Sequence, residues 1–307
     1  PVTEWAISAK NSIERYSDIE NRSGIKFFSP SGYLGIGEPS SDYNARCAAS
    51  GAAVGVKTSK LTAIDIRSRF PFLSVSDNAD GLLETKTAGH ISPRAMVKAQ
   101  SKLAENAGAE LVSDEVVKIY KAGGSIEIEL VSGKILKGEK VLVATGGFTS
   151  ACGLSPVNLN LRVFGRTVVL AKIEGSLTKE LSEMPTIIHA VSGAYILPPI
   201  EYPDGNKYLK IGIGTDADAT FEKVEDLKAW FKGKGSTENR SEFTEFIRQL
   251  IPSLNHCKNW HSDTCVVTQT QNGLPIIEYV DEEKIAVAVG GNGKGAKGAD
   301  EWGKIAA

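Results

Sequence analysis

The sequence is poor in the features that mark metal-binding, disulfide-rich, nucleic-acid-binding and membrane-spanning proteins. Its four cysteines are widely spaced, with no C-x-x-C pair and no histidine cluster beside them, which argues against a zinc site or a disulfide framework. A net charge of -2 provides no basic excess to attract a nucleic-acid backbone. No run approaches the roughly 18 apolar residues that cross a bilayer, and no charged-then-apolar leader opens the chain. We therefore expect a cytoplasmic protein without a metal, nucleic-acid or membrane partner.

The composition is otherwise that of an ordinary globular protein, apart from a local excess of glycine. The chain has 307 residues, 41% of them hydrophobic and 23% charged, which is enough for one large domain or two interleaved ones. Its 31 glycines exceed the usual share of roughly 7%. Because several of them cluster at 290–298, we expect a glycine-rich loop close to a ligand.

The first half of the chain carries the pattern of a layered α/β domain. Helical spacing over 3–23 predicts an opening helix, and Ser92-Pro93 supplies a cap and a first-turn proline for a helix that Gly108 stops. A short strand is predicted at 109–112, and 126–130 alternates strictly as a strand does. The apolar run Val141–Ala144 predicts a buried strand whose end turns sharply through glycines.

The second half predicts an antiparallel sheet with helices attached. A single helix is predicted over 57–70, ending before a proline. Several β-like runs lie between 160 and 220, two helical stretches occupy 222–250, and strands and a final short helix follow after 262.

The glycine cluster contains a formal G-x-G-x-x-G match from Gly293 to Gly298, after a strand and before a helix. A dinucleotide-binding unit needs a strand-helix-strand of roughly 30 residues, whereas nine residues follow the last glycine. We therefore reject that interpretation and keep the local one: backbone N–H groups at a helix start face an electron-rich group. The alternative is a turn without a ligand.

Four segments occur in an order that resembles the D-amino-acid oxidase, glycine oxidase and sarcosine oxidase family of flavoenzymes. They are "HISPRAMVKAQSKLAENAGAELVSDEVVKI", "VLVATGGFTS", "TQTQNGLPII" and "AVAVGGNGKGAKGADEWGKIA". Members of that family begin with a strand-GxGxxG-helix unit that grips the ADP half of FAD. We expect that unit to be missing ahead of Trp5.

The resemblance implies an α/β (α+β) fold. An incomplete FAD-binding three-layer domain would be interleaved with an antiparallel-sheet substrate domain. The implied FAD-binding parts are 1–24, 88–152 and 262–307, and the implied substrate-domain parts are 25–87 and 153–261.

The resemblance also implies cofactor contacts. The backbone of Val116 would contact the adenine, although a strand valine is more often simply part of a core. The phosphate-ribityl region of FAD would pass a turn made by Ala144, Thr145 and Gly146. The pyrimidine end of the flavin ring would face a loop made by Gly291, Asn292, Gly293, Lys294 and Gly295.

Three further residues have implied roles in the chemistry. Lys297 resembles the lysine that pairs with the substrate carboxylate, and Lys210 resembles the lysine that promotes reaction with oxygen by stabilising developing negative charge. Cys265 falls where sarcosine oxidases join flavin covalently. The plain alternatives are two solvated lysines and a small buried cysteine. His189 and Tyr195 are possible pocket residues, and no acid-base residue is assigned.

A carboxylate-binding arginine has no clear counterpart, and Arg46 and Arg166 are candidates by charge alone. The implied function is FAD-dependent oxidation of a small amine or amino acid to an imine, which water hydrolyses. One alternative is a flavin-linked dehydrogenase of a 2-hydroxy acid or secondary amine. The other is a flavin-free truncated remnant that only binds. Lys210 on the flavin face would favour an oxidase.

Overall fold

The computed structural model describes residues 3–216, 218–281 and 283–307. Its helices are α1 (Thr3–Ser23), α2 (Tyr43–Ala53), α3 (Ala63–Arg69), α4 (Pro93–Asn106), α5 (Phe148–Ala151), α6 (Ser176–Glu180), α7 (Val224–Lys232), α8 (Thr237–Leu250) and α9 (Ala299–Ala306). Short 3-10 helices lie at Pro252–His256 and Gly295–Lys297. Within these described ranges, no helix combines the length and the apolar character needed to span a bilayer.

The strands alternate with these helices along the chain. They are β1 (Phe28–Ser29), β2 (Tyr33–Gly37), β3 (Ser59–Thr62), β4 (Asp80–Glu84), β5 (His90–Ile91), β6 (Val116–Ala122), β7 (Ser125–Leu130), β8 (Ile135–Gly138), β9 (Val141–Val143), β10 (Arg162–Lys172), β11 (Thr186–His189), β12 (Ala194–Glu201), β13 (Lys207–Gly212), β14 (Trp260–Gln269), β15 (Ile276–Asp281) and β16 (Ile285–Val289).

An eight-stranded sheet in the order β14-β10-β13-β12-β11-β2-β4-β3 forms the largest layer. Its neighbours are antiparallel except β11 and β2, which run parallel. Arg166 of β10 pairs with Cys265 of β14, and Leu170 of β10 pairs with Lys210 of β13. Because directly paired residues point to the same face, this register brings the two basic side chains and the thiol to one side.

The two faces of this sheet differ. One face packs against α3 and α8, where Val169, Leu209, Phe243 and Ile247 are fully buried. The other face, called the site face below, carries Cys265, Arg166, Lys210, Tyr195 and Ile188. These five residues are all half-buried. The hydrophobic core therefore fixes the sheet from one side and leaves polar groups on the other.

A second layer contains strands from the middle and from the end of the chain. The order β15-β16-β9 forms a three-stranded sheet in which β16 and β9 are parallel, and β6-β7-β8 forms a separate meander. Their side chains share a core that includes Ile126, Val143 and Val287. Helix α1 packs against both α4 and α9.

Two predicted elements are wrong. In the predicted helix 57–70, the first part is β3, and α3 begins only after Thr62, whose Oγ1 accepts from the Asp65 N–H at 3.2 Å while Asp65 Oδ2 accepts from the Thr62 N–H at 2.8 Å. This capping box fixes the helix start. The strand predicted at 109–112 is irregular, with Leu111 56% exposed, because no described strand pairs with it.

Candidate active site

Two glycine-containing loops leave the same edge of a sheet. Ala144, Thr145 and Gly146 follow β9, and the loop from Gly290 to Gly295 follows β16. Since β9 and β16 are adjacent and parallel, with Val143 paired to Val287, both loops emerge at the carboxyl ends of the strands. This is the edge where α/β sheets bind nucleotide-like ligands.

The loop after β16 is held tightly to the end of β14. The Asn292 N–H donates to the Thr268 carbonyl at 2.8 Å, and the Thr270 N–H donates to Asn292 Oδ1 at 3.0 Å. Gly290 has φ +80° and Gly293 has φ +70°, a left-handed backbone that favours glycine. The loop is thus fixed at its base, where the Thr270 side chain fills the space beside Gly290, and it leaves room for a ligand only beside Gly293.

The turn after β9 lies against the same strand from its other face. A Cβ on Gly147 would come within 3.1 Å of the side chains of Val163 and Val266, whereas a Cβ on Gly293 would lie 3.7 Å from Val267. Ala144 and Thr145 are exposed, and Gly146 has φ +54°. Gly147 is therefore closely packed on β14, whereas Gly146 and Gly293 leave open space beside the strand that an extended cofactor could occupy.

The remaining predicted cofactor residues lie at the edges of this surface. Val116 begins β6 and is half-buried against the core that contains Val143. Lys294 is exposed, and its Nζ lies 5.6 Å from the ring centre of Trp5, a cation–π contact.

On the site face, Lys210 lies over an aromatic ring. Its Nζ is 5.4 Å from the ring centre of Tyr195, whose ring lies against Gly212. Burial lowers the pKa of Lys210, Cys265 and Asp263 oppose that change, and Arg94 adds to it. The lysine is thus a partly desolvated cation next to an aromatic side chain.

Cys265 shares the site face with two basic side chains and is paired directly with Arg166 across β14 and β10. Burial raises the pKa of its thiol, and the charges of Lys210 and Arg166 act in the opposite direction. Arg166 is in turn held by an ion pair with Asp218, whose side chain is 1% exposed. Asp218 also accepts from the Thr215 N–H at 2.8 Å. The guanidinium is therefore fixed in place beside the thiol.

Burial affects the ammonium of Lys297, although the residue is exposed to solvent. It ends the 3-10 helix after the glycine loop, and its carbonyl accepts from the Tyr16 hydroxyl at 3.4 Å. Burial lowers the pKa of its ammonium, Lys294 lowers it further, and Cys47 acts in the opposite direction. The residue is nevertheless exposed to solvent. It forms no ion pair with any described residue.

Two candidates from the sequence lie elsewhere. His189 packs its ring against Phe246 of α8, with ring centres 5.2 Å apart, so it lies on the core side of the sheet. Arg46 is exposed on α2 and pairs with Asp42 at 3.0 Å. Of the four pocket candidates by position or charge, Tyr195 and Arg166 are the two on the site face.

Sequence reasoning missed several residues near the site. The sequence patterns did not predict Asp218, which is the ion-pair partner of Arg166, or the mutually interacting group Tyr33, Tyr43 and Cys47. The spaced glycines in the strand segment YLGIG were the available signal, because glycines on one face of a strand indicate that another group lies against it.

Comparison with known proteins agrees with this arrangement of loops and sheet. The fold and the paired loops define a nucleotide-cofactor oxidoreductase of mixed α/β architecture. The chain matches the family described as FAD dependent oxidoreductase over residues 3–307, and it belongs to that family. FAD is the cofactor of the family, and the predicted fold class is confirmed.

Individual relatives cover most of the chain. The N-methyl-L-tryptophan oxidase of Citrobacter koseri is 24% identical over 303 residues, which are 95% of this chain and 75% of that one. The structure of glycine oxidase from Geobacillus kaustophilus superposes with a TM-score of 0.77 at 19% identity, over 98% of this chain and 76% of that one. The structure of L-proline dehydrogenase from P. horikoshii superposes with a TM-score of 0.77 at 20% identity, over 97% of this chain and 76% of that one.

Proposed function

We propose that the protein catalyses the FAD-dependent oxidation of a small amine or amino acid at the carbon next to nitrogen. The observation that carries this proposal is the pair of lysines, Lys210 on the site face and Lys297 after the glycine loop. Neither forms an ion pair with a described residue, and both are partly desolvated. An unpaired ammonium group favours an anionic substrate or the anionic product of oxygen reduction.

Each of these residues has a separate role in the proposed reaction. The ammonium of Lys297 binds the substrate carboxylate and thereby fixes the reacting C–H bond. Tyr195 and Ile188 form an apolar floor that excludes water, and Lys210 supplies positive charge where oxygen is reduced. Bound FAD supplies the two-electron acceptor. The amine loses two electrons and two protons, oxygen takes both to give hydrogen peroxide, and water hydrolyses the imine.

The assignment of cofactor contacts remains part of the proposal. We place the adenine near the backbone of Val116, the phosphate-ribityl region along Ala144–Gly146 and the flavin ring at Gly291–Gly295. The exposed turns and the positive-φ glycines in these segments support that placement. We also propose that 25–87 and 153–261 form the substrate domain and that the other segments belong to the cofactor domain.

A visible absorption spectrum of the purified protein tests the proposal first, repeated on supernatant and pellet after acid precipitation. We expect a yellow protein, or one that becomes yellow when FAD is added, and hydrogen peroxide production from an N-methyl amino acid. Colour that stays in the pellet and is released in Cys265→Ser would assign the covalent link to Cys265. A protein that stays colourless with added FAD would overturn the proposal for this chain.

A second candidate function is a flavin-linked dehydrogenase, which the similarity to the L-proline dehydrogenase structure supports. The two functions differ in how fast oxygen reoxidises the reduced flavin. For an oxidase, we expect fast reoxidation that drops about a hundredfold in Lys210→Met while an artificial electron acceptor still works, since one charge–charge stabilisation in a dry site is worth about 3 kcal/mol. Slow reoxidation in the unmodified protein, with rapid reduction of the artificial acceptor, would establish the dehydrogenase.

A further inference from the structure

The ring of Phe164 on β10 lies between two guanidinium groups. The Cζ of Arg162 is 4.8 Å from the centre of the ring, and the Cζ of Arg166 is 5.7 Å from the same centre. Side chains two residues apart on a strand point to the same face of the sheet. Phe164 and Arg162 therefore lie on the site face together with Arg166.

The two guanidinium groups differ in their partners. Arg166 forms an ion pair with Asp218 and is packed on the backbone, because a Cβ on Gly214 would come within 2.9 Å of its Nη1. Arg162 is exposed and forms no ion pair with any described residue. Its directly paired neighbour on β14, Gln269, is uncharged. Arg162 is therefore a cation whose charge no described carboxylate neutralises.

Phe164 joins this cation to the loop after β16. Phe164 pairs directly with Val267 of β14, and a Cβ on Gly293 would lie 3.7 Å from both Cγ atoms of Val267. Directly paired residues have Cβ atoms about 4.5–5.5 Å apart, so the loop, Val267 and the ring form one continuous surface. The guanidinium of Arg162 lies over the ring at the end of that surface.

The opposite face of the same two strands carries the turn after β9. A Cβ on Gly147 would come within 3.1 Å of Val163 and Val266, whose side chains alternate with those of the site face. We place the phosphates of FAD along that turn and the flavin ring at the loop after β16. An anion that meets Arg162 on the site face therefore belongs to the substrate rather than to the cofactor phosphates.

We propose that Arg162 binds an acidic group at the far end of the substrate, so that the preferred substrates are amines or amino acids with an additional carboxylate. This inference rests on the proposed function, because it takes the oxidised amine to lie beside the loop after β16. A guanidinium donates two parallel N–H groups to a carboxylate. Stacking on Phe164 limits the orientations of the guanidinium before the ligand arrives, which lowers the entropic cost of binding.

Equilibrium binding tests the proposal without any catalysis. The purified protein, with FAD added, is titrated by calorimetry with glutarate and with pentanoate, which have the same number of carbon atoms but two carboxylates and one. We expect glutarate to bind about tenfold more tightly, and Arg162→Gln to abolish that preference, since a hydrogen-bonded charge pair is lost. Arg22→Gln is the matched control, because Arg22 is also exposed but pairs with Asp18 on α1. It should leave the preference unchanged.

Two further measurements test the positioning role of the ring and the substrate class. Phe164→Leu keeps an apolar side chain but removes the ring, so the preference for glutarate should fall about threefold while the Kd of pentanoate stays the same. In the unmodified protein, kcat/KM should be about tenfold higher for N-methylglutamate than for N-methylalanine, and Arg162→Gln should remove the difference mainly through KM.

The outcomes separate this inference from the proposed function. Equal binding of glutarate and pentanoate by the unmodified protein, or a preference that persists in Arg162→Gln, would overturn the role of Arg162. Weaker FAD binding in Arg162→Gln with an unchanged carboxylate preference would also overturn it and assign the guanidinium to a cofactor phosphate. A glutarate preference that depends on Arg162, in a protein that oxidises no amine, would overturn the proposed function and leave an anion site at Arg162.

Discussion

The ring of Tyr195 occupies the space that a side chain on Gly212 would need. A Cβ on Gly212 would come within 2.6 Å of the Cε1, Cζ and Oη atoms of that ring. The same ring lies under the ammonium of Lys210 at 5.4 Å from its centre. A glycine on one strand thus sets the position of an aromatic side chain on the next strand, and that side chain lies beside the half-buried lysine.

We predict that Gly212→Ala lowers the free energy of unfolding by about 1–3 kcal/mol, because the added methyl group displaces the ring. Chemical denaturation measures the change. Gly303→Ala is the control, since nothing lies within 4 Å of a Cβ there and alanine favours a helix. In a Tyr195→Ala background, Gly212→Ala should lower the free energy of unfolding by less. An equal decrease in both backgrounds would show that the added methyl group does not displace the Tyr195 ring.

The ion pair between Arg166 and Asp218 predicts a second stability effect. Asp218→Ala would leave a partly buried guanidinium without its partner, which costs about 3 kcal/mol. Removal of the exposed partner of Arg46, in Asp42→Ala, should cost less than about 1 kcal/mol. Thermal or urea unfolding of the two variants provides the comparison, and similar costs for both would show that Asp218 does not fix Arg166.

The loop after β16 predicts an effect on cofactor affinity. Asn292 has φ +49°, and its side chain accepts from the Thr270 N–H at 3.0 Å. Asn292→Gly keeps the backbone conformation accessible but removes that hydrogen bond, which we expect to weaken FAD binding about tenfold. Asn292→Ala should weaken it further because alanine disfavours positive φ. Fluorescence titration measures the dissociation constant of FAD for each variant. Affinities equal to that of the unmodified protein would exclude an anchoring role for Asn292.

The depressed pKa of Lys297 predicts how carboxylate binding depends on pH. Burial lowers the pKa, so the ammonium is lost at a lower pH than that of an ordinary lysine. A carboxylate binds the charged form, so its Kd should be constant below the pKa of Lys297 and rise as pH increases through that value. Lys297→Arg should hold the Kd constant over the same range because arginine keeps its charge. Calorimetric titration with a carboxylate inhibitor measures the Kd, and matching pH profiles for the two proteins would contradict the assignment.

Local sequence patterns predicted many elements of the fold. The opening helix, the helix capped by Ser92 and the strand before Gly146 are confirmed. Each depends on neighbours in sequence: a periodic apolar stripe, a capping hydroxyl or a glycine that ends a strand. The order of motifs predicted the family and its cofactor, which the match over residues 3–307 confirms.

Tertiary structure decided which side chains meet. The segments with Cys265 and Lys210 were recognised in the sequence, but only strand pairing puts both on the site face with Arg166. Pairing also excluded His189, because one step along a strand reverses the direction of a side chain. The ring contact between Trp5 and Trp302, and the hydrogen bond from the Tyr16 hydroxyl to the Lys297 carbonyl, join segments far apart in the chain. Periodicity within one segment carries no information about such contacts, since they arise from how separate elements pack together.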